Sequence, residues 1–485
     1  MKRLRWYDFI TINLFWLGLN IRNTAVGSVF MPYLVYSFVS PEVQNTALGA
    51  MRAVGLLVAM LVQPAVGLMS DRSTSRFGSR RPFIFIGVML DLVLLVAIGL
   101  SGSYWALFAA VLLIQISSNI SHGALQGLIP DLVPEDQRGQ ASGVKAIFEL
   151  IPIFLTTLIV ARLVGAGELG WAIAVTCLGL LITMLLTMLL VKEKPLTEKP
   201  NTPLGPPMIR ILGVLAGIGI GAAAGLLAGA LVGGLAGLIA WPLAGTKVAQ
   251  MIAIGVGGMV AMIVAVVTGV WAGALATLGD QARRQASFTW WMVNRLLFLA
   301  AVTSIQGFAT YFLISAFGIT SEEGIVLTAN LIMAVGIFTL LTALPGGWLA
   351  DRFGRKILVG LAGLVAAIGT VVLLTTTLVP NLTVMYVGGC IIGLAAGLFM
   401  STNWALGTDL VPPEEAGRYL GISNLAGAGA GMIGAGIGGV VADWVNRYQP
   451  GMGYFAIFSC YAVLFFLSTL SLRMVRGRAT AARLK

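Results

Sequence analysis

Charge is what this chain has least of. Lys, Arg, Asp and Glu make up 10% of its 485 residues, against 58% hydrophobic ones, and the mean hydropathy is +0.94. A soluble domain carries roughly a quarter charged residues, so a chain this poor in charge cannot cover a water-facing surface. Cysteine is almost missing as well. Cys177, Cys390 and Cys460 each fall inside an apolar run, at spacings of neither a metal site nor a redox pair, and read as small buried hydrophobes. There is one histidine, no GxxxxGK[ST] phosphate loop, no Ser–His–Asp constellation and no metal-ligand cluster. Those absences leave no ATP-driven step, no expected cofactor or metal, and no enzyme chemistry. No short apolar stretch with a small-residue cleavage site precedes the first long run, so no removable leader is expected.

What the chain does have is long apolar runs. About 20 apolar residues cross the bilayer core as a helix, and in lipid the backbone must satisfy its own hydrogen bonds, so such runs mean helices. Spans are predicted at 8–37, 47–69, 83–101, 104–129, 140–164 and 169–191, and again at 288–316, 323–349, 357–378, 382–407, 417–441 and 452–474. Between the two sets lie a polar, proline-rich stretch (KEKPLTEKPNTPLGPP, 192–207) and two further apolar runs, 209–241 and 248–278, joined by WPLAGTK. The first of these runs is rich in glycine and alanine, which lets helix backbones approach closely in lipid. The predicted fold is all-α and integral to the membrane, with 14 spans. Its predicted parts are a six-helix half (1–192), a linker (193–207), a two-helix insert (208–279) and a second six-helix half (280–485). The insert is expected to be a packing element, with a regulatory or oligomerising hairpin as the alternative.

The net charge of +11 is not a nucleic-acid footprint. Most Lys and Arg fall in alternate loops and at the termini, as in Lys2, Arg3 and Arg5, or Arg352, Arg355 and Lys356, while the opposite loops hold little beyond Lys247 and Arg447. That asymmetry is the positive-inside pattern and puts both termini in the cytoplasm.

Two pairs of loops match across the chain. GLMSDRSTSRFGSRRPF (67–83) pairs with GWLADRFGRK (347–356), and PDLVPEDQRGQASG (130–143) with TDLVPPEEAGRYLG (408–421). Asp71 and Asp351 are 280 positions apart, Asp131 and Asp409 278. Two motifs in one order at nearly one offset mark the halves as repeats. Parallel six-helix repeats are a transporter architecture, with solute near mid-membrane between halves that rock. The loop residues Gly67, Asp71, Arg72, Gly78, Arg81, Asp131 and Arg138 are candidates for contacts that break and reform as the halves move. So are Gly347, Asp351, Arg352, Gly354, Arg355, Asp409 and Arg418. The bland alternative is a tight turn whose charges hold the loop inside.

The repeated GxxxDRxGRK pattern resembles the signature of the major facilitator superfamily. The longer first copy, SDRSTSRFGSRRPF, with IPDLVPEDQRGQASG after it, resembles the sucrose/H⁺ and glycoside–cation symporter branch; a group of photosynthetic pigment-delivery proteins shares a similar loop. The resemblance implies a twelve-helix facilitator fold, to which the central insert is an addition. It also implies secondary transport of a small solute, with sugar or glycoside symport driven by a proton or cation. Efflux of amphipathic compounds, and a non-transporting assembly or pigment-delivery role, are the alternatives. The expected partners are the lipid bilayer, the solute and a coupling ion, with no nucleic acid; the chain is a monomer by default. Its expected location is a cell membrane, the inner one if the source is bacterial.

Polar groups inside spans are costly and mark pathways. Gln115, Asn119, His122 and Gln126 recur at i, i+4, i+7 and i+11, one face of a helix. That face predicts a water-filled cavity or a polar neighbour, with His122 a proton carrier or a structural hydrogen-bonding group. Lys145 and Glu149 stand one turn apart, able to pair, with Pro152 freeing a backbone carbonyl nearby; Glu149 is either a coupling carboxylate or half of a structural ion pair. Arg22 and Arg52, with Asn20 and Asn23, either bind solute or pair with Asp91, Glu42 or Glu149. The second half offers Thr303, Gln306 and Thr310, then Asn330, Asn403, Trp404 and Asn424. The expectation is that the first half couples the cation and both halves hold solute.

Overall fold

The computed structural model describes residues 3–134, 137–191, 193, 205–411 and 416–476, and these contain helices and no strand. The first run forms α1 (Trp6–Ala25) and α2 (Met31–Phe38), joined by a widened π turn at Val26–Phe30. Pro32 causes the widening: it has no N–H to donate to the carbonyl one turn back. Then come α3 (Gln44–Ser70), α4 (Arg81–Gly99), α5 (Tyr104–Leu125), the short α6 (Leu128–Leu132) and α7 (Arg138–Leu155). A second π turn, Thr156–Ala161, follows Pro152 and leads into α8 (Arg162–Gly165) and α9 (Leu169–Leu190). The insert is α10 (Gly205–Leu278). After it come α11 (Gln281–Arg284), α12 (Ala286–Phe317), α13 (Ser321–Phe353), α14 (Arg355–Leu378), α15 (Leu382–Asp409), α16 (Ala416–Tyr448) and α17 (Met452–Ser471).

Eleven helices among the described residues are long and apolar enough to cross a membrane. One of them is the insert, which breaks at Gly245 (φ 76°, ψ 170°). Residues 6–38 and Ala416–Tyr448 are helical or nearly so and fall outside that set.

The chain divides into two compact units. Unit 1 is Met1–Val39, Val54–Pro206 and Thr320–Met333; unit 2 is Ser40–Ala53, Pro207–Ile319 and Ala334–Lys485. Each unit therefore borrows the first turns of one helix from the other half of the sequence. In unit 1 the borrowed start of α13 is held at Ala329, whose carbonyl accepts from the Thr157 hydroxyl at 3.1 Å. In unit 2 the borrowed start of α3 is capped by Asp443, whose carboxylate accepts from the Thr46 amide at 2.6 Å and from the Asn45 side chain at 2.7 Å. A carboxylate on the unsatisfied amides of a helix start is favoured by hydrogen bonding and by the helix dipole together.

The insert is a hairpin zipped by small residues. Gly213, Gly217, Gly221, Gly225, Gly229, Gly233 and Gly237 recur every fourth position. The backbone of the returning arm lies against this edge. A methyl on Gly221, Gly225, Gly229 or Gly233 would collide with the carbonyl of Ala265, Ala261, Gly257 or Ala253. Leu226, Leu227, Leu231, Leu235 and Leu238 are exposed on the outgoing arm, as a lipid-facing surface requires. Within unit 2 the hairpin packs on α16 and α17: Ile218 meets Gly429, Gly258 meets Val441, and Gly255 meets Ala456.

Candidate functional site

The repeated loops build the same device in each unit. In unit 2, Arg355 reaches Asp409 at 2.7 Å and Asp351 at 3.3 Å, and donates to the Ala405 carbonyl. In unit 1 the corresponding arginine is Arg80. It reaches Asp131 at 2.9 Å, pairs with Asp71, and donates to the Ser70 hydroxyl at 2.6 Å. The next residue is also matched. Arg81 donates to the Met188 carbonyl at the end of α9, and Lys356 to the Val475 carbonyl beyond α17, at 2.6 and 2.7 Å. Gly78 and Gly354 turn the chain into these arginines with φ of 106° and 96°, where a side chain would be strained. Gly67 lies near the Gly123 carbonyl, while Gly347 has open space. Arg72 is half-buried, and Arg352 lies over the Trp348 and Phe353 rings. The side chains of Arg138, Arg418 and Asn424 lie outside the described residues, as does most of 193–207.

Unit 1 adds an anchor of its own. The Arg80 amide donates to Glu193 at 2.9 Å, just past α9. Burial pushes the Glu193 carboxyl up, and the Arg80 amide pulls it partly back.

Inside the helices of unit 1 two clusters form. Arg22 and Asp91 are an ion pair at 2.9 Å, 2% and 0% exposed. Asn23 accepts from Arg22, and Ser117 donates to Asp91. Both charges are thus satisfied within the core, the pairing alternative for Arg22. The second cluster surrounds Trp16. Lys145 lies 4.1 Å over its indole, and the His122 ring meets it edge-on at 5.2 Å. Glu149 pairs with Lys145 at 3.3 Å and is 41% exposed, so its carboxylate is open to its surroundings rather than sealed in an apolar pocket. Gln126 is exposed and 3.4 Å from the imidazole. The rest of the α5 stripe turns inward: the Asn119 amide donates to the Gln115 carbonyl, and the Gln115 side chain covers Gly55. Asn330, on the borrowed part of α13, is half-buried.

In unit 2, α12 is the central helix. From Trp291 to Leu313 every residue is buried except Arg295, Leu299, Thr303 and Gln306. Those four are spaced 4, 4 and 3 apart, so they form one stripe. Three of them are polar. Arg295 stacks on Trp404 at 4.8 Å and lies 5.7 Å from the Trp291 ring. Arg52, half-buried, has its guanidinium against Gly307. Thr310 is buried. Asn403 is buried too: its amide donates to Asn294 at 2.8 Å, Asn294 donates to Ser468, and the Asn403 carbonyl accepts from Trp291 at 3.0 Å. That network ties α12, α15 and α17 together and leaves Trp404, not Asn403, beside the stripe.

Two family profiles match. The profile described as Major Facilitator Superfamily covers residues 291–483, and the one described as MFS/sugar transport protein covers residues 15–220. The chain belongs to the major facilitator superfamily. Among curated facilitator relatives, the sucrose transport protein SUC3 of Arabidopsis thaliana is 28% identical over 227 residues, 37% of each chain. The multidrug resistance protein MdtG of Enterobacter lignolyticus is 26% identical over 196 residues, 40% of this chain and 44% of that one. The matched part thus spans less than half the length of these relatives. A solved D-xylose-proton symporter shares the fold at a TM-score of 0.64 and 19% identity, covering 96% of this chain and 97% of that one.

Arg80 and Arg295 are absent from the residues picked out by sequence. Arg80 stands one residue before Arg81, the arginine expected from the loop motif, because Ser79 is inserted after Gly78 in the first loop. Arg295 had a plain signal, being the one charged residue within 288–316.

Proposed function

We propose that this facilitator is a secondary transporter that moves a small hydrophilic solute by alternating access, with a sugar or glycoside as solute and a proton as coupling ion. The observation that carries the reading is the stripe on α12. Apart from Leu299, the only residues of α12 from Trp291 to Leu313 that are not buried are the half-buried Arg295 and the exposed Thr303 and Gln306, and a polar stripe inside a membrane bundle belongs against water and solute. The similarity to a sucrose transport protein and the MFS/sugar transport profile support sugar as the solute class. Glu149 is the candidate coupling group: its carboxylate is 41% exposed and paired with a cation, so protonation would release Lys145. Arg80 and Arg355, each joined to two aspartates, are the candidate gating contacts of the two repeats, 1–192 and 280–485. The hairpin, 208–279, is a packing element on the second. The charge asymmetry of the loops supports cytoplasmic termini. Similarity to a multidrug resistance protein favours a second reading, efflux of amphipathic compounds, against which the polar stripe argues.

Reconstitution into liposomes with labelled solutes, with and without an imposed pH gradient, tests this. Sugar uptake above equilibrium only with the gradient is expected, and Glu149→Gln should abolish accumulation while leaving downhill exchange. Gradient-driven uptake that survives Glu149→Gln would refute the coupling assignment. Movement of amphipathic dyes but no sugar would favour efflux.

A further inference from the structure

We propose that the tip of the central hairpin is a phospholipid site, with one acyl chain in a groove between the two arms of α10 and the lipid phosphate on Lys247.

The groove comes from small residues placed at helical spacing. Gly234 and Gly237 line it from the outgoing arm, Ala249 and Ala253 from the returning one. Each pair stands three or four positions apart and so shares a helix face. Larger side chains, Leu238 and Trp241 among them, close the sides around about 240 Å³. A methyl on Gly237 would press on Ala253, whereas a methyl on Gly234 meets open space. The arms are therefore in contact beneath a groove that no other part of the described chain fills.

The length of the hairpin sets the depth of that groove. Arg210 to Trp241 is a rise of about 46 Å at about 1.5 Å per residue. A bilayer with its headgroup layers is about 40–45 Å thick. With Arg210 at one interface, Trp241 reaches the headgroups of the other. Gly234 lies about 10 Å deeper, among acyl chains.

The chemistry changes along the same axis. The deep end is glycine and alanine, while the tip end carries Trp241 and Thr246, with Gln250 one turn in. Lys247 follows Thr246 and is exposed. None of these four side chains finds a partner among the described residues. Their indole, hydroxyl, amide and ammonium groups are donors that a phosphodiester and an ester carbonyl accept. No acidic residue occurs between Glu198 and Asp280, so the hairpin offers Lys247 no carboxylate of its own. A basic residue at headgroup depth beside an apolar groove suits an anionic lipid. A partner's helix, about 10–12 Å across with its side chains, sets only a side chain or two into such a groove. A flexible acyl chain lies along its whole length.

Native mass spectrometry of the purified full chain, exchanged into detergent with equimolar phosphatidylglycerol and phosphatidylcholine of the same acyl chains, supplies the test. Wild type should hold one phospholipid under activation that strips the annular ones. It should favour phosphatidylglycerol about fivefold, the scale of one lysine near an anionic lipid. Gly234→Leu fills the groove from a position where the added Cβ touches nothing; it should cut retention about tenfold or more by displacing buried methylenes. Lys247→Gln should keep the lipid but bring the two headgroups within about twofold of each other. Phosphatidylglycerol carrying a photoactivatable acyl chain should cross-link within 234–253. Absence of a retained lipid, retention unchanged in Gly234→Leu, a preference unchanged in Lys247→Gln, or cross-links spread evenly over the spans overturns the proposal, as does a second copy of the chain captured in place of lipid. Wild-type retention and the cross-link read the claim even if a variant fails to fold.

Discussion

The bridging arginine of the first loop offers the sharpest energetic test. Arg80 is 8% exposed, whereas its partners Asp71 and Asp131 are 47% and 44% exposed. Hydrogen bonds to charged groups contribute about 1.5–3 kcal/mol, but half-exposed carboxylates are screened, so about 1 kcal/mol for each aspartate is the fair figure. The bond to Ser70 adds about 1 kcal/mol. Arg80→Ala should therefore cost about 3 kcal/mol, because the aspartates it abandons can hydrate while the buried charge is gone. Asp71→Asn and Asp131→Asn should each cost about 1 kcal/mol, as should Arg81→Ala, which loses one bond to the Met188 carbonyl. Unfolding in mixed micelles followed by circular dichroism gives the ranking. The reasoning is refuted if Arg81→Ala costs as much as Arg80→Ala, or if Arg80→Ala costs no more than either aspartate change.

Asp91→Asn should destabilise by about 3–5 kcal/mol, since it leaves Arg22 buried beside a neutral group; Arg22→Met with Asp91→Leu should recover most of that, and a double variant no better than the single would contradict the pairing account. In the hairpin, Gly225→Val should cost about 1–3 kcal/mol or separate the arms, whereas Gly219→Val, where a side chain meets open space, should be near neutral by the same unfolding assay. Glu193 predicts a pH effect. Its carboxyl is raised by burial, so its contribution is fully present below the unfolded carboxylate range and fades as pH rises through the folded value. Glu193→Gln should flatten stability against pH across that window, and an unchanged profile would count against burial as the cause.

The repeat was legible because its loops are short, local in sequence and dependent on particular residue types. Gly78 and Gly354 must supply positive φ, and the aspartates need an arginine within reach. Which arginine was not legible. The first loop reads Gly-Ser-Arg-Arg where the second reads Gly-Arg-Lys, and only the folded turn decides that Arg80 matches Arg355 and Arg81 matches Lys356. The hairpin's period of four was in the sequence, and close packing follows from it directly. Partner choice inside the helices was harder. Asn403 and Trp404 are neighbours, but one is locked to Asn294 and the other stacks on Arg295, and that depends on how α12 and α15 are rotated. The stripe on α12 is half visible in the sequence: Thr303 and Gln306 mark the face, yet Thr310 is buried and Arg295 stands at its head.

The central claim is coupled transport of a hydrophilic solute. Liposomes holding the protein and an internal pH-sensitive dye, given sugars from outside without any imposed gradient, test it most directly. The account predicts that a sugar-class solute entering downhill acidifies the interior, and that Glu149→Gln lets the same solute enter with no change in pH. Entry without acidification in the wild type, or no entry of any such solute while an amphipathic dye is moved, would contradict it.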